Sequence, residues 1–457
     1  MGTIWLPNLE QSSGPKYRAL ETAIKKAIHD GTLAPGTRLP PVRELGWEAN
    51  VTPGTVARAY KSLVDSGVLE AAVGRGTFVP ERLRPIERPT VDPGATLLSP
   101  RLPDMGQGDL IRQGFVEYSQ SASAEALLRY PRREFHAPAH QTFAKFHSDA
   151  PIGPFTADDV VITHGGQNAI IMILQTVLRG TAPVVMIDDL TYSGFRRAAE
   201  LCRAKVVSVA WDDDGPDTAE FERLIREEGV QAYCTSADVI NPTAQSATLE
   251  RRKEIAEIAQ RYNIHVIDDD CYRNGPHEGP SYRQLLPELG WYTTSPSKSV
   301  SAALRIGFVV APKGWVNTLI RTATFNSFGV PVAITAVYTY VHSHPELPGI
   351  LSAARAHMNG LLNKAVDRLK RYNIRWRPNV PFIWLELPYG WRSGEFCQTA
   401  EAQGVYLKSS EEFGLRHSQT VHAVRIALNG EIGQAAFNEA LDKICYILDH
   451  PPEQITV

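Results

Sequence analysis

Ser295-Pro296-Ser297-Lys298, followed by Leu304-Arg305-Ile306-Gly307-Phe308, is the stretch on which the reading of this chain turns. A lysine that attacks an aldehyde must be neutral part of the time, a state that burial and nearby cations favour. Arg305, seven residues on, is such a cation and can also neutralise a phosphate. In isolation, a lysine in a serine-rich loop is more often a solvated surface charge. The segments that precede it give it weight.

Working outward, apolar runs at Val160-Val161-Ile162, Val184-Val185-Met186-Ile187, Val206-Val207-Ser208-Val209 and His265-Val266-Ile267 alternate with helical stretches. That alternation predicts a mostly parallel sheet covered by helices. Thr163-His164-Gly165-Gly166-Gln167 follows a run and opens a helix, where paired glycines let backbone N–H groups converge on a phosphate. Such a turn also carries glycine for geometry alone. Asp188-Asp189-Leu190-Thr191-Tyr192 offers Tyr192 as a flat surface over an aromatic ring, and Asn241-Pro242-Thr243 follows Val239-Ile240. Asp268-Asp269-Asp270-Cys271-Tyr272 ends another run. Three acids there repel one another and suit a cation, either a metal or a protonated pyridine nitrogen. With no histidine or further carboxylate at ligand spacing, no metal is expected. After about residue 340 a long helix (352–372) and strands at Phe382-Ile383-Trp384-Leu385 and Ala423-Val424-Arg425-Ile426-Ala427 predict a smaller α+β domain.

The N-terminal part has a different grammar. Leu20, Ile24 and Ile28 recur at helical spacing up to Gly31, and a second helix starts near Pro40-Pro41 with Val42 and Leu45 inward. Thr52 caps a third helix with Pro53 at its first position and Val56, Ala59, Tyr60, Leu63 and Val64 on its apolar face. Val68-Leu69-Glu70 and Thr77-Phe78-Val79 read as strands flanking a glycine-rich tip, Val73-Gly74-Arg75-Gly76. Three helices and a hairpin describe a winged helix-turn-helix. Prolines 80, 85, 89, 93, 100 and 103 then mark a semi-extended linker that packs against neither neighbour.

At 457 residues the chain is long enough for about three domains. Its 43% hydrophobic and 21% charged residues are those of a globular protein, and the net charge of -3 points to no nucleic acid globally. Residues 1–80 hold nine basic against seven acidic side chains, a weak local excess. The five scattered cysteines suggest thiols in a reducing compartment rather than a zinc site. No secretory leader and no run of about 18 apolar residues is evident, so a cytoplasmic location is expected.

With these residues in view, the part from about 100 onward resembles the fold-type I aminotransferases. Leu39-Pro40-Pro41-Val42-Arg43-Glu44-Leu45, Gly54-Thr55-Val56-Ala57-Arg58-Ala59-Tyr60 and Gly74-Arg75-Gly76-Thr77-Phe78 resemble the GntR winged helix. Together they resemble the MocR subfamily of bacterial transcriptional regulators. The resemblance implies a multidomain chain. An N-terminal winged helix-turn-helix (12–79) and a proline-rich linker (80–103) would precede an α/β aminotransferase-like effector domain (104–457). That domain would have a mostly parallel large subdomain (about 150–335) and a small C-terminal α+β subdomain (about 340–457).

It also implies pyridoxal 5′-phosphate on Lys298, with Asp269 pairing the ring nitrogen and Asn241 and Tyr272 at the phenolic oxygen. Tyr192 would stack on the ring, and Gly166, Gln167, Ser295, Ser297 and Arg305 would hold the phosphate. Tyr130 would reach the phosphate of a neighbouring subunit. Arg425 would bind an effector carboxylate as a planar bidentate pair. Arg43, Thr52, Gly54, Thr55, Arg58, Gly74 and Arg75 would face an operator in double-stranded DNA, the third helix in the major groove and Arg75 in the minor groove.

This chain departs from the family at Leu190-Thr191, where a proline is usual, at Ala244, where a glycine is usual, and at Thr52-Pro53, where Ser-Arg is common. The function implied is a transcriptional regulator, homodimeric and with domain swapping open to it, that senses an amino acid or amine by aldimine exchange at Lys298. The alternative is an aminotransferase with an appended DNA-binding domain.

Overall fold

The computed structural model describes residues 5–7, 15–65, 68–72, 76–80, 95–415 and 421–451. Gly74, Arg75 and linker residues 81–94 lie outside the described residues. Contacts divide the chain into two compact units, Met1–Val91 and Asp92–Val457.

The first unit contains α1 (Lys16–His29), α2 (Val42–Glu48), α3 (Pro53–Asp65) and an antiparallel pair, β1 (Glu70–Ala72) and β2 (Gly76–Phe78). Leu20, Ile24 and Ala27 on α1, Leu45 on α2 and Val56, Ala59, Tyr60 and Leu63 on α3 close one core with Leu33, Leu39, Leu69 and Val79. Each buried Leu or Ile there contributes about 1.5–3 kcal/mol. Thr52 Oγ1 accepts from the Thr55 amide at 3.2 Å, satisfying one of the unpaired donors at the start of α3. The strands are offset from the predicted ones for a local reason. The amides of Val68 and Leu69 both donate to Leu63 O, closing the end of α3 instead of entering the hairpin.

In the second unit, seven strands form one sheet: β3 (Val160–Thr163), β4 (Val184–Asp188), β5 (Lys205–Val209), β6 (Val230–Thr235), β7 (His265–Asp269), β8 (Gly290–Thr294) and β9 (Gly307–Val310). Their spatial order is β3-β9-β8-β7-β6-β4-β5. Only β9 runs antiparallel, to both β3 and β8. The central strands are buried on both faces, which is why they read as unbroken apolar runs. The antiparallel course of β9 brings its N-terminal end, carrying Arg305, to the edge where β3, β4, β7 and β8 end. Ligands of open α/β sheets bind at that edge.

Val239-Ile240 is not a strand end. β6 stops at Thr235, and Asn241 lies in a tight loop where the Ile240 amide bonds Gln245 O and the Ala244 amide bonds Ile240 O. Ala244 adopts φ 61°, a left-handed conformation that explains why glycine is usual there.

The smaller lobe holds β10 (Ile374–Arg375), β11 (Phe382–Glu386), β12 (Lys408–Ser409) and β13 (Ala423–Ala427), in the antiparallel order β10-β11-β13-β12. Helices Leu347–Leu369 and Gln434–Asp449 cover it, the first starting earlier than predicted because Pro348 fits a first helical turn.

The linker prediction fails over 95–103. Ala95–Thr96 pairs in parallel with Val405–Tyr406, Leu97 is fully buried in the small-lobe core, and Arg101 bridges Asn429. Those residues belong to the second unit because Leu97 and the main chain around it find partners there. Among the described residues no helix is long and apolar enough to cross a membrane, and all five cysteines are free.

Candidate functional site

The strand ends converge as the sheet topology requires, but the three acids at the end of β7 do not act together. Asp268 accepts from the amides of Ala237 (3.1 Å) and Tyr282 (3.0 Å). Asp270 accepts from Arg273 Nε (2.8 Å) and the Tyr292 hydroxyl (2.7 Å). Two of the acids are therefore structural, which overturns their reading as one cation site. Asp269 differs in having no cation or backbone amide on it: the Cys271 thiol bonds its carboxyl, and its Oδ1, like Asp270 Oδ1, is buried with no hydrogen-bond partner. Burial raises its carboxyl to about 7, with Asp270 and Asp268 adding to the rise and the Cys271 thiol opposing it.

Asp238 and His277 also come within ligand distance of Asp270, a grouping that their sequence spacing did not disclose. Arg252 Nη2, 2.7 Å from Asp238, and Arg273 already balance the two carboxylates.

Lys298 closes a short turn (Pro296–Lys298), its Nζ 5.6 Å from the centre of the Tyr272 ring. Burial, reinforced by the Arg425 and Arg305 charges, holds its amine below the usual lysine range. The turn is built by Ser295, whose Oγ donates to Ile306 O (2.8 Å), meets Ser297 Oγ (2.7 Å) and accepts from the Ser297 amide (3.2 Å). Tyr272 packs edge-on against Phe382, ring centres 5.4 Å apart, so its ring is fixed by the small lobe.

The helix Gly166–Val177 begins beside them. Gly165, at φ 89°, admits the Arg305 guanidinium, since a Cβ there would stand 2.7 Å from Nη2. A Cβ on Gly166 would meet Cys271 Sγ at 3.1 Å and Asp269 Oδ1 at 3.9 Å. Gln167 Nε2 donates to Gly194 O (2.9 Å), and its Oε1 is buried without a partner. Gly194 is a site-shaping residue that sequence reasoning missed: a Cβ there would fall 2.1 Å from the Tyr192 ring. Burial, with Asp269 next, raises the Tyr192 phenol. Asp188 was likewise missed as an anchor. It is fully buried, accepts from Trp211 Nε1 (2.6 Å), Thr235 Oγ1 (2.9 Å) and the Tyr233 hydroxyl, and is raised to about 7 by burial. It pins the loop that carries Tyr192.

Arg425 on β13 is 2% exposed, so it is no rim charge. Its guanidinium lies 5.0 Å from the Phe413 ring centre and 5.6 Å from that of Phe382. Nη1 donates to Asn241 Oδ1 and Nη2 to Leu98 O, while Nε is buried and unpartnered. The structure thus brings Lys298, Asp269, Tyr272, Asn241, Tyr192, Gly166, Gln167, Ser295, Ser297, Arg305 and Arg425 together through neighbouring contacts. Tyr130 is not among them. It is 74% exposed and packs on Phe328, ring centres 5.1 Å apart.

In the first unit, Arg43, Thr52 and Gly54 are exposed and Thr55 is half-buried at the start of α3. Thr52 and Thr55 share a hydrogen bond of 2.8 Å between their hydroxyls. Arg58 is exposed but stacks on Tyr17, 4.2 Å from its ring centre, which fixes its direction. Arg38, not singled out from sequence, crosses Gly76, where a Cβ would lie 2.9 Å from its Nε.

Known proteins match on the same division. Residues 104–444 match the family described as aminotransferase class I and II, and residues 16–79 match the bacterial regulatory proteins of the gntR family. The transcriptional regulator YdeF of Bacillus subtilis is 26% identical over 444 residues, spanning 93% of this chain and 92% of its own. The vitamin B6 salvage pathway transcriptional repressor PtsJ of Salmonella typhimurium is 27% identical over 425 residues, 89% of this chain and 93% of its own. The structure of kynurenine aminotransferase from Pyrococcus horikoshii superposes with a TM-score of 0.69 at 20% identity, covering 79% of this chain and 91% of that one. The chain belongs to the aminotransferase class I and II family and, with a gntR-type domain ahead of that fold, has the MocR architecture.

Proposed function

We propose that this protein is a DNA-binding transcriptional regulator whose C-terminal unit holds pyridoxal 5′-phosphate and reads an amino acid or amine. The observation that carries the reading is one chain containing a winged helix and, separately, a half-buried lysine, beside Tyr272 and with its amine pKa lowered, in a unit of the aminotransferase class I and II family. The residues present fit the cofactor. A helix N-terminus, Arg305 and the hydroxyls of Ser295 and Ser297 offer anion contacts, and the unpartnered Asp269 oxygen offers an acceptor for a ring N–H.

Bound there, pyridoxal phosphate supplies an aldehyde that amines condense with reversibly and a protonated ring that draws electrons. Lys298 would be its attachment point, its amine pKa lowered by burial. Asp269 would hold the proton at the ring nitrogen, Asn241 and Tyr272 would serve the phenolic oxygen, and Tyr192 would cover the ring. Gly166, Gln167, Ser295, Ser297 and Arg305 would take the phosphate. Arg425 takes a carboxylate on the effector, and exposed Tyr130 serves a neighbouring subunit in a homodimer. Arg43 and the start of α3 face operator DNA, in the cytoplasm. An effector shifts the regulator only through differential affinity for two states.

The test is the purified protein's visible absorbance together with anisotropy titration of DNA from upstream of its own gene. Lys298→Ala removes the visible band and leaves DNA affinity within about twofold. A colourless wild type, or loss of DNA binding in the variant, would sink the reading. The presence of Arg425 beside an otherwise complete set of cofactor-site residues favours a second reading, an aminotransferase with an attached DNA-binding domain. Sustained release of keto acid over many turnovers would establish it.

A further inference from the structure

Arg425 is already bonded on both of its terminal nitrogens. Its Nη2 donates to the main-chain oxygen of Leu98, and its Nη1 to Asn241 Oδ1. Leu98 lies in the segment on which the chain first enters the second unit after residues 81–94. That segment is tied down on both sides. The Ala95 amide bonds Gly404 O (2.8 Å), the Leu97 amide bonds Tyr406 O (2.9 Å), and the Ala427 amide bonds Leu97 O (2.9 Å). Beyond it, the Arg101 amide bonds Leu428 O (3.1 Å). Among the described residues, the bond from Arg425 is the only hydrogen bond made by residues 98–100. One buried guanidinium therefore holds both a cofactor-site asparagine and the stretch of chain that leads back toward the winged helix.

A carboxylate gripping a guanidinium through two parallel bonds uses Nη2 on either edge. Nη2 has one N–H on each edge and the Leu98 oxygen holds one of them, so a carboxylate arriving on that edge meets the partial negative charge of the carbonyl oxygen. A charge-assisted bond is roughly twice as strong as one to a neutral carbonyl, so the carboxylate displaces the carbonyl. The unpartnered Nε gives it a further donor.

Resting on the reading of Arg425 above, we propose that the effector's carboxylate and the Leu98 carbonyl compete for this arginine. Amino carboxylates detach residues 98–100, whereas amines without a carboxylate load the site and leave the segment docked. Loading and signalling are thus separate steps, and only amino carboxylates perform both. By linkage, the docked segment also weakens carboxylate binding by the factor that the carboxylate loosens it.

The experiment is hydrogen exchange of the amides of Ala95, Leu97 and Arg101 in the full-length, cofactor-loaded protein, with visible absorbance followed in parallel. The probes are alanine, propylamine and propionate. Alanine and propionate speed exchange at these amides, roughly tenfold for loss of one hydrogen bond to a charged group. Propylamine changes the absorbance and leaves exchange as it was. Arg425→Met exchanges fast without any probe and no longer responds to propionate.

Unchanged exchange in propionate, or an equal rise with propylamine, would overturn the proposal. Propionate needs no reaction with the cofactor, so its arm decides the competition by itself. A visible band that responds to neither amine would instead count against the reading of Lys298.

Discussion

The two units place their candidate functional residues in opposite settings. In the winged helix, Arg43, Thr52 and Gly54 stand exposed on short helices, backed by a core drawn from residues 20–79. In the aminotransferase-like unit, Asp269, Asn241 and Arg425 are all at most 7% exposed and come from strands and loops between 241 and 425. Surface contacts to DNA act nearly independently, while buried polar groups lose their partners' solvation when one member is removed. Substitutions in the first setting should therefore give small, separable effects, and those in the second large, coupled and pH-dependent ones.

Asp269→Asn makes the sharpest test. Burial raises this carboxyl from 3.8 to about 7, so between those values the folded chain keeps a proton the unfolded chain has released. Stability of the cofactor-free protein accordingly falls as pH rises through that window. The asparagine variant escapes the cost, by up to about 4 kcal/mol for a shift of roughly three units. Its melting temperature should exceed the wild type's at pH 8, with the gap closing toward pH 4. A gap independent of pH would show that the carboxyl is not held as described.

Leu45→Ala comes next. It empties a fully buried position in the small N-terminal core and should cost about 2–5 kcal/mol. DNA binding should be lost while visible absorbance persists; loss of both would break the comparison by showing that the units do not fold separately. Thr52→Ala, at the exposed edge of the same unit, removes the acceptor for the Thr55 amide and should cost about 1 kcal/mol. Chemical denaturation of the N-terminal unit checks it, and a loss much beyond that would make Thr52 more than a cap.

The winged helix was legible because its cues are local: caps, prolines and helical spacing lie within a few residues of what they control. Lys298, Asp269 and Arg305 were legible for a related reason, since strand ends are readable and the sheet topology brings strand ends together. The failures were non-local. Nothing near Asp268 or Asp270 in sequence announced the Tyr282 amide or the Tyr292 hydroxyl. Ala95–Pro103 read as linker because proline content overrode the buried Leu97 and its partners more than 300 residues away. Gly194 gave no cue, since only the folded position of the Tyr192 ring makes its missing side chain necessary.

By itself, then, the sequence determined two units, their fold types and a lysine at a strand edge, because periodicity and strand-end chemistry act over short spans. Tertiary structure alone decided which acids bond backbone amides and arginine, where the linker ends and what Arg425 grips. Those outcomes depend on groups far apart in the chain competing for the same few hydrogen bonds in a space closed to water.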